Sequence, residues 1–472
     1  MQRIYIKDLK EHIGKEVTIK GWVDTVRHQG KMAFFDFRDT TGKIQGVVFG
    51  KPEVLEKTKE MRDEFVVEVS GIVNERPEKS RTEAQNGSIE LEVINIEVLN
   101  KAETPVFDTK EDTRKISEEV RLKNRYLDLR SERMQKNLIN RHKVIKFIRD
   151  FLDKENFIEV ETPMLTKSTP EGARDYLVPS RLYPGRFFAL PQSPQQYKQL
   201  LMASGVEKYF QIARCMRDED MRGDRQPEFT QLDMEMAFVK EEDVLQLNEK
   251  LLIEIVEKLY PEKRIQQVPF PRITYKESME KHGNDRPDIR EDKEDKNLLA
   301  FCWVVDFPFF EKTANSDDPQ AKGEWTFTHN PFSLAKTEDI EKLKNGEEIG
   351  SITAAQYDIA LNGSEIGGGS IRAHDPEILK SILGILGHSE EKIEENFGHM
   401  LKALGSGTPP HGGIAWGLDR LLTILQGEES IREVIAFPKT REARDLLMEA
   451  PAEVSSEQLN ELGITIKKDS KK

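Results

Sequence analysis

The sequence predicts an α+β chain in which a small N-terminal β-barrel precedes a larger domain that mixes helices with strands. Three observations carry this. Residues 1–100 contain five short runs of alternating or apolar character. Residues 101–130 are charged and poor in such runs. From about residue 131 the apolar spacing becomes helical, with Leu138, Val144, Ile145, Ile148, Phe151 and Leu152 in step, and helices and strands continue to about residue 440.

The first run places Val17, Ile19 and Val23 against Thr18, Lys20 and Asp24, with Gly21 in the apolar register. Residues 33–37 and 44–49 follow, separated by the turn Asp39-Thr40-Thr41-Gly42. Phe65, Val67 and Val69 alternate again. Ile89, Leu91 and Val93 occupy odd positions, and Ile94, Ile96 and Val98 then shift to even ones, which predicts a β-bulge near Val93. Five short strands suit a small closed barrel, of which the OB-fold is one kind.

Composition bounds the function. The 472 residues carry 71 Lys+Arg and 85 Asp+Glu, a formal charge of -14. That balance argues against a polyanion partner for the chain as a whole. Residues 1–50 differ: nine basic and six acidic residues give +3, and rings stand among them. A basic, aromatic barrel suits single-stranded nucleic acid, although Phe34, Phe35 and Phe37 would equally form a core. Two cysteines, Cys215 and Cys302, exclude a disulfide framework and a four-cysteine zinc site. The longest apolar run, residues 298–305, is too short to span a bilayer, and the first residues lack the apolar stretch of a secretory signal. A soluble, cytoplasmic protein is expected. There is no Walker-type phosphate loop and no dinucleotide-binding glycine fingerprint.

Three constellations can carry chemistry. In the first, a strand ends in Arg217-Asp218-Glu219 and a charged loop leads to a return strand of period two. Phe229, Gln231, Asp233 and Glu235 share one face, and Thr230, Leu232, Met234 and Met236 the other. In the second, Asn362-Gly363 is a two-residue hairpin turn pairing Leu361 with Ser364 and Ala360 with Glu365. Asp358 and Glu365 become diagonal neighbours, and two such carboxylates suit a divalent cation such as Mg²⁺ between them. Arg372 has the opposite parity to Glu365, so a shared pocket requires a bulge in the run Gly367-Gly368-Gly369. In the third, Gly412-Gly413 and Gly417 precede an apolar helix with Arg420 near its start. The glycines would admit a nucleotide and the arginine could stack on a base or meet phosphate.

Together these constellations resemble the class II aminoacyl-tRNA synthetases. Val160-Glu161-Thr162-Pro163 is similar to the end of motif 1, Arg217 through Phe229 to motif 2, and Gly417-Leu418-Asp419-Arg420 to motif 3. The segments 125–130, 169–176 and 192–199 narrow the resemblance to the bacterial-type aspartyl branch. It implies an OB-fold anticodon-binding domain over 1–105, a hinge over 106–130, a catalytic domain on an antiparallel sheet over 131–445 and a C-terminal extension over 446–472. It implies activation of L-aspartate with ATP and Mg²⁺, transfer to tRNA(Asp) and possible transfer to tRNA(Asn), and a homodimer formed through motif 1.

Residue by residue, the resemblance implies that Lys198, Arg372 and His329 hold the substrate side-chain carboxylate. Ser193, Gln195 and Asp233 hold the ammonium, and Glu171 belongs to a closing loop. Arg217 bridges aspartate and the α-phosphate, and Phe229 and Arg420 enclose adenine. Asp218, Glu219, Gln226 and the Gly417, Leu418, Asp419, Arg420 run contact the nucleotide, and Asp358 and Glu365 bind Mg²⁺–ATP. In the barrel, Phe34 stacks on an anticodon base beside Arg27, Gln45 and Glu90. Three departures from the branch stand out. The domain usually inserted between motifs 2 and 3 is missing, Gln29 stands in the barrel loop tied to tRNA choice, and Asn330 replaces a histidine after His329. Asparaginyl or lysyl specificity on the same fold, and a tRNA-binding paralogue without catalysis, are the alternatives.

Overall fold

The computed structural model describes residues 2–168, 172–219, 221, 223–315 and 323–467. The chain divides into two units, one of residues 1–117 with 126–135 and one of residues 118–125 with 136–472.

In the first unit, strands β1 (Glu16–Gln29), β2 (Met32–Asp39), β3 (Gly42–Phe49), β4 (Val66–Glu75) and β5 (Ile89–Asn100) close a barrel in the order β1-β2-β3-β5-β4. The expected bulge is present: Ser70 pairs with Asn95 and Gly71 with Val93, which leaves Ile94 over. Phe35 and Phe37 stack in the core with centroids 5.2 Å apart, while Phe34 points the other way and stays half-buried. Asp24 departs from simple alternation. It falls at a register shift in β1 and is buried, held by Arg38 and Lys43 at 2.9 Å each. Residues 106–130 differ from a plain hinge. Short helices at Glu118–Lys123 and Arg125–Asp128 interrupt them. Arg125 is buried and donates to the carbonyls of Arg432, Ile435 and Ala436.

The second unit is built on an eight-stranded sheet. Its strands are β6 (Ile158–Glu159), β7 (Lys208–Met216), β8 (Glu228–Ala237), β9 (Arg272–Thr274), β10 (Phe301–Val305), β11 (Gln356–Leu361), β12 (Ser364–Ile371) and β13 (His411–Gly417). The spatial order is β9-β10-β11-β12-β13-β8-β7-β6. The central pairs are antiparallel, and the two outermost, β6 with β7 and β9 with β10, are parallel. One face is apolar: Leu232, Met234, Trp303, Tyr357, Ile359, Ile414 and Trp416 pack there. The helices Glu132–Lys154, Glu241–Leu259 and Leu418–Gln426 add Val144, Ile148, Leu252, Ile255, Leu421 and Leu422 to the same core. Burying that face turns the other toward the site. Among the described residues no helix is long and apolar enough to cross a membrane.

Candidate functional site

Register places the catalytic candidates on one face. Asp233 pairs with Ala415 and Gln211, and Glu235 with Gly413 and Tyr209, so β7, β8 and β13 present Gln211, Gln231, Asp233 and Glu235 on the side opposite Leu232 and Met234. The hairpin β11–β12 has the predicted register, with Leu361 opposite Ser364 and Ala360 opposite Glu365. The required bulge lies at Ile366, immediately before the glycine run, because Ile359 pairs with Gly367 while Ala360 pairs with Glu365. That one extra residue brings Asp358, Glu365 and Arg372 to the same face.

At the floor lies a fully buried charge cluster. Lys198, on the helix Gln195–Ala203, places Nζ 2.7 Å from Asp233 Oδ1 and 3.2 Å from Glu235 Oε2. Arg372 donates from Nε to Glu235 Oε1 at 2.9 Å and from its terminal nitrogens to Glu235 Oε2 at 3.2 Å and Ser370 Oγ at 2.8 Å. Burial alone would raise Glu235, but Arg372 and Lys198 outweigh it and hold the carboxyl down at about 2. Asp233 is pushed up instead, because burial outweighs Lys198. Its Oδ2 has no hydrogen-bond partner among the described residues, the nearby Tyr209 giving its hydroxyl proton to Gln211. A buried carboxylate oxygen without a donor is a place for a cationic ligand group.

Glu235 was not among the expected site residues. The visible signal was its place in the period-two row of β8. Gly413 also carries a role the sequence did not suggest: a Cβ there would lie 2.0 Å from the Met234 carbonyl oxygen and 2.2 Å from Glu235 Oε2. This glycine makes room for the charge cluster and not for a nucleotide.

A cavity of ≈ 230 Å³ on the same sheet is lined by Arg217, Glu219, Gln226, Phe229, Glu365, Gly417 and Arg420 among others. The loop from β7 to β8 is closed at its base, where Arg217 N–H donates to Pro227 O at 2.9 Å, and Arg225 pairs with Glu219 at 3.0 Å. The Arg217 guanidinium lies over the Phe229 ring, 5.2 Å from its centroid. Arg420 donates to Glu365 O at 2.7 Å and pairs with Asp224 at 3.3 Å. Asp218 is exposed. The Gln226 amide both donates to and accepts from the Lys439 backbone.

Two members of the motif 3 run are committed to other partners, although Asp419 also borders the cavity. Leu418 lies in the hydrophobic core, which corrects its side chain as a nucleotide contact. Both Asp419 oxygens are occupied, by Arg141 Nη1 at 2.5 Å and Thr230 N–H at 2.9 Å.

Asp358 and Glu365 converge over Gly368. A Cβ at that glycine would sit 2.5 Å from Asp358 Oδ1 and 3.8 Å from Glu365 Oε1, so the missing side chain leaves a cradle between two carboxylates. Burial, Glu365 and then Asp285 push Asp358 well above the ordinary carboxylate range. Asp285 is a third acid, which sequence spacing gave no reason to include. Among the described residues no three such side chains are close enough together to hold a metal ion, so a hard divalent cation here would be shared between the Asp358–Glu365 pair and the oxygens of a ligand. His329 stands 3.8 Å from Asp358 Oδ2 and meets the Phe307 ring edge-on. Burial lowers its pKa, although Glu365 and Asp285 pull the other way. Its place is beside the acidic pair; the buried partners of Lys198 and Arg372 are Asp233, Glu235 and Ser370. Ser193 Oγ accepts from the Gln195 backbone N–H at 3.4 Å. Glu171 lies outside the described residues.

In the barrel, Phe34 pairs with Arg27 across β1–β2 and Asp36 with Gln45 across β2–β3. The parallel β3–β5 register, Val47 opposite Glu92, brings Glu90 into the row of Gln45. The four residues therefore share the barrel's outer face, with Arg27 exposed and 3.3 Å from Asp36.

Comparison with known proteins matches this layout. Residues 117–441 match the family model for tRNA synthetases class II (D, K and N), and residues 17–99 match that for the OB-fold nucleic acid binding domain. An aspartate–tRNA(Asp/Asn) ligase of Thermoanaerobacter sp. (strain X514) is 41% identical, covering 97% of this chain and 96% of its own. One of the same name from Natranaerobius thermophilus is 40% identical over 96% and 97%. The first alignment runs over 587 positions against a chain of 472 residues, so that relative carries a domain-sized length this chain lacks. The asparaginyl-tRNA synthetase from Pyrococcus horikoshii complexed with asparaginyl-adenylate superposes with a TM-score of 0.73 at 25% identity, over 93% of this chain and 98% of its own. With both domains and the one-sided polar sheet in place, this chain belongs to the class II tRNA synthetases of the D, K and N group.

Proposed function

We propose that the protein is an aspartate–tRNA ligase acting on tRNA(Asp) and, as the names of its relatives suggest, on tRNA(Asn). The observation that carries the specificity is the buried cluster. Within it Lys198 and Arg372 are balanced by Asp233 and Glu235, and Arg217, on the wall of the cavity, is a further cation for a ligand carboxylate. Aspartate, with two carboxylates and one ammonium, supplies the matching negative charge.

In this reading the ammonium sits on Asp233 Oδ2, Gln195 and Ser193, and the side-chain carboxylate sits between Lys198 and Arg372. The α-carboxylate lies beside Arg217, facing the cavity that takes ATP, with the base between Phe229 and Arg420 and with Glu219 and Gln226 along the wall. An α-carboxylate oxygen attacks the α-phosphorus, the bond to the bridging oxygen breaks, and pyrophosphate leaves. Arg217 stabilises the charge that builds on the α-phosphate oxygens. The terminal ribose hydroxyl of tRNA then attacks the aspartyl carbonyl and AMP leaves. Asp358 and Glu365 would hold Mg²⁺, which when bound neutralises phosphate charge.

Aspartate-dependent ATP–pyrophosphate exchange tests the reading. Asparagine should be disfavoured by about 10⁴ in kcat/KM, because its neutral amide leaves Lys198 and Arg372 without the matching charge in a closed site. Exchange driven equally well by asparagine or lysine would overturn it. Charging purified tRNA(Asp) and tRNA(Asn) side by side tests the second acceptor.

The outer row of the barrel, Arg27, Phe34, Gln45 and Glu90, would read the anticodon, with Phe34 as the stacking ring. Phe34→Ala should raise the KM for tRNA by about tenfold or more, as losing one stacked base predicts, and leave pyrophosphate exchange unchanged. An unaltered tRNA KM would remove Phe34 from that role. A homodimer through motif 1 fits the edge position of β6 and the exposed Ile158 and Leu165, and sedimentation of the 54.3 kDa chain would report it.

A further inference from the structure

Behind the ammonium side of the pocket, a line of polar groups joins the start of β13 to Gln195. His411 and Gln199 are fully buried and Gln195 nearly so. His411 Nδ1 lies 2.8 Å from the Pro409 carbonyl oxygen, and His411 Nε2 lies 3.1 Å from Gln199 Nε2. Gln195 Nε2 lies 3.0 Å from Gln199 Oε1.

The polarity of this line is dictated from its far end. A carbonyl oxygen only accepts, so His411 carries its proton on Nδ1, and the neutral ring then offers Nε2 as an acceptor. Gln199 must donate to it from the amide nitrogen, which turns Gln199 Oε1 toward Gln195. Gln195 in turn donates from its own amide nitrogen, and its Oε1 is left without a partner among the described residues. An ammonium group needs acceptors, and a reversed amide would set donors against it. Building on the reading of Gln195 as an ammonium ligand, we propose that Gln199 and His411 are positioning residues for amino-acid binding, which hold the Gln195 amide with its oxygen toward the substrate.

The same line responds to protons. An imidazolium donates from both nitrogens. Gln199 would then have to present Oε1 to His411 and its NH₂ to Gln195, and Gln195 would turn its NH₂ toward the substrate. The charged groups acting on His411 are Glu235, Arg372 and His374. Burial holds the ring below the ordinary imidazole range against the pull of Glu235, so the productive polarity prevails at neutral pH and reverses in acid.

Pyrophosphate exchange on the full chain tests the proposal. Gln199→Leu removes the acceptor, and the KM for aspartate should rise about tenfold, as for one well-oriented hydrogen bond, with the KM for ATP within about twofold. Gln199→Glu should restore the aspartate KM to within about threefold. Its carboxylate accepts from Gln195 at one oxygen and from a protonated His411 at the other. The acid limb of kcat/KM for aspartate, expected in the wild type below the ordinary imidazole range, should therefore flatten in that variant. A smaller folded fraction lowers apparent kcat and leaves KM alone, so the comparison survives a loss of stability. If Gln195→Ala raises the aspartate KM and Gln199→Leu does not, the relay is overturned and the ammonium reading stands. If Gln195→Ala also leaves it unchanged, the ammonium reading itself fails.

Discussion

Replacing Arg217 with alanine lowers the maximal rate of aspartate-dependent pyrophosphate exchange by about 10²–10³, the loss that follows removal of one preorganised donor to a developing oxyanion. The expectation rests on placement. Arg217 follows directly on β7, its backbone is tied to Pro227, and its guanidinium lies over Phe229 at the wall of the cavity that Glu365 and Arg420 also line. In the proposed reaction a guanidinium held there would meet both the carboxylate that attacks and the phosphate that is attacked. Lysine would keep the charge but lose the planar fork, so Arg217→Lys should recover only part of the rate. A near-normal rate in Arg217→Ala would remove the residue from the chemical step.

Replacing Glu235 with leucine destabilises the fold by about 3–5 kcal/mol, the range for breaking a buried ion pair from one side. Glu235 is the shared counter-ion of two fully buried cations, and without it the Arg372 guanidinium keeps, among the described residues, the Ser370 hydroxyl and the Gly413 carbonyl as hydrogen-bond partners. Asp150→Asn is the control: its partner Lys146 is exposed, and the change should cost less than about 1 kcal/mol. The pH dependence has a definite sign. The folded Glu235 carboxyl is held near 2, below its unfolded value of about 4.3, so its contribution is complete above that unfolded value and is lost as pH falls through the folded one. The gap in urea midpoint between wild type and Glu235→Leu should therefore narrow as pH is lowered from 5 toward 2. A difference in unfolding free energy under about 1 kcal/mol at pH 7 would show that Lys198 and Arg372 do not depend on Glu235.

Much of the site was legible because its signals are local. Strand alternation placed Phe229, Gln231, Asp233 and Glu235 on one face, and that face is the one turned away from the core. Asn362-Gly363 set the hairpin register, and a pocket shared by Glu365 and Arg372 required a bulge in the glycine run, which the structure places one residue earlier, at Ile366. In the barrel, a parity switch located the bulge at Ile94 to within a residue. What local pattern left open was which groups meet across strands distant in sequence. Gly413 looked like room for a nucleotide and is room for Glu235. Leu418 stood inside a recognisable motif, but its side chain points into the core, because the helix it begins must bury one side. The charged stretch around residue 120 resembled a hinge because it is poor in strand-like apolar runs, yet Arg125 is buried on three carbonyls.

The sequence by itself determined the order of the domains, the five barrel strands, the hairpin register and the facing of most candidate side chains. Periodicity and turn chemistry act between neighbours along the chain, so they can be read without coordinates. Only the tertiary structure decided the electrostatic design of the site. Lys198 comes from a helix, Asp233 and Glu235 from β8, Arg372 from the end of β12 and His411 from the start of β13. Their pairing depends on sheet order and on burial, and burial gives those charges their strength by removing the water that would otherwise screen them.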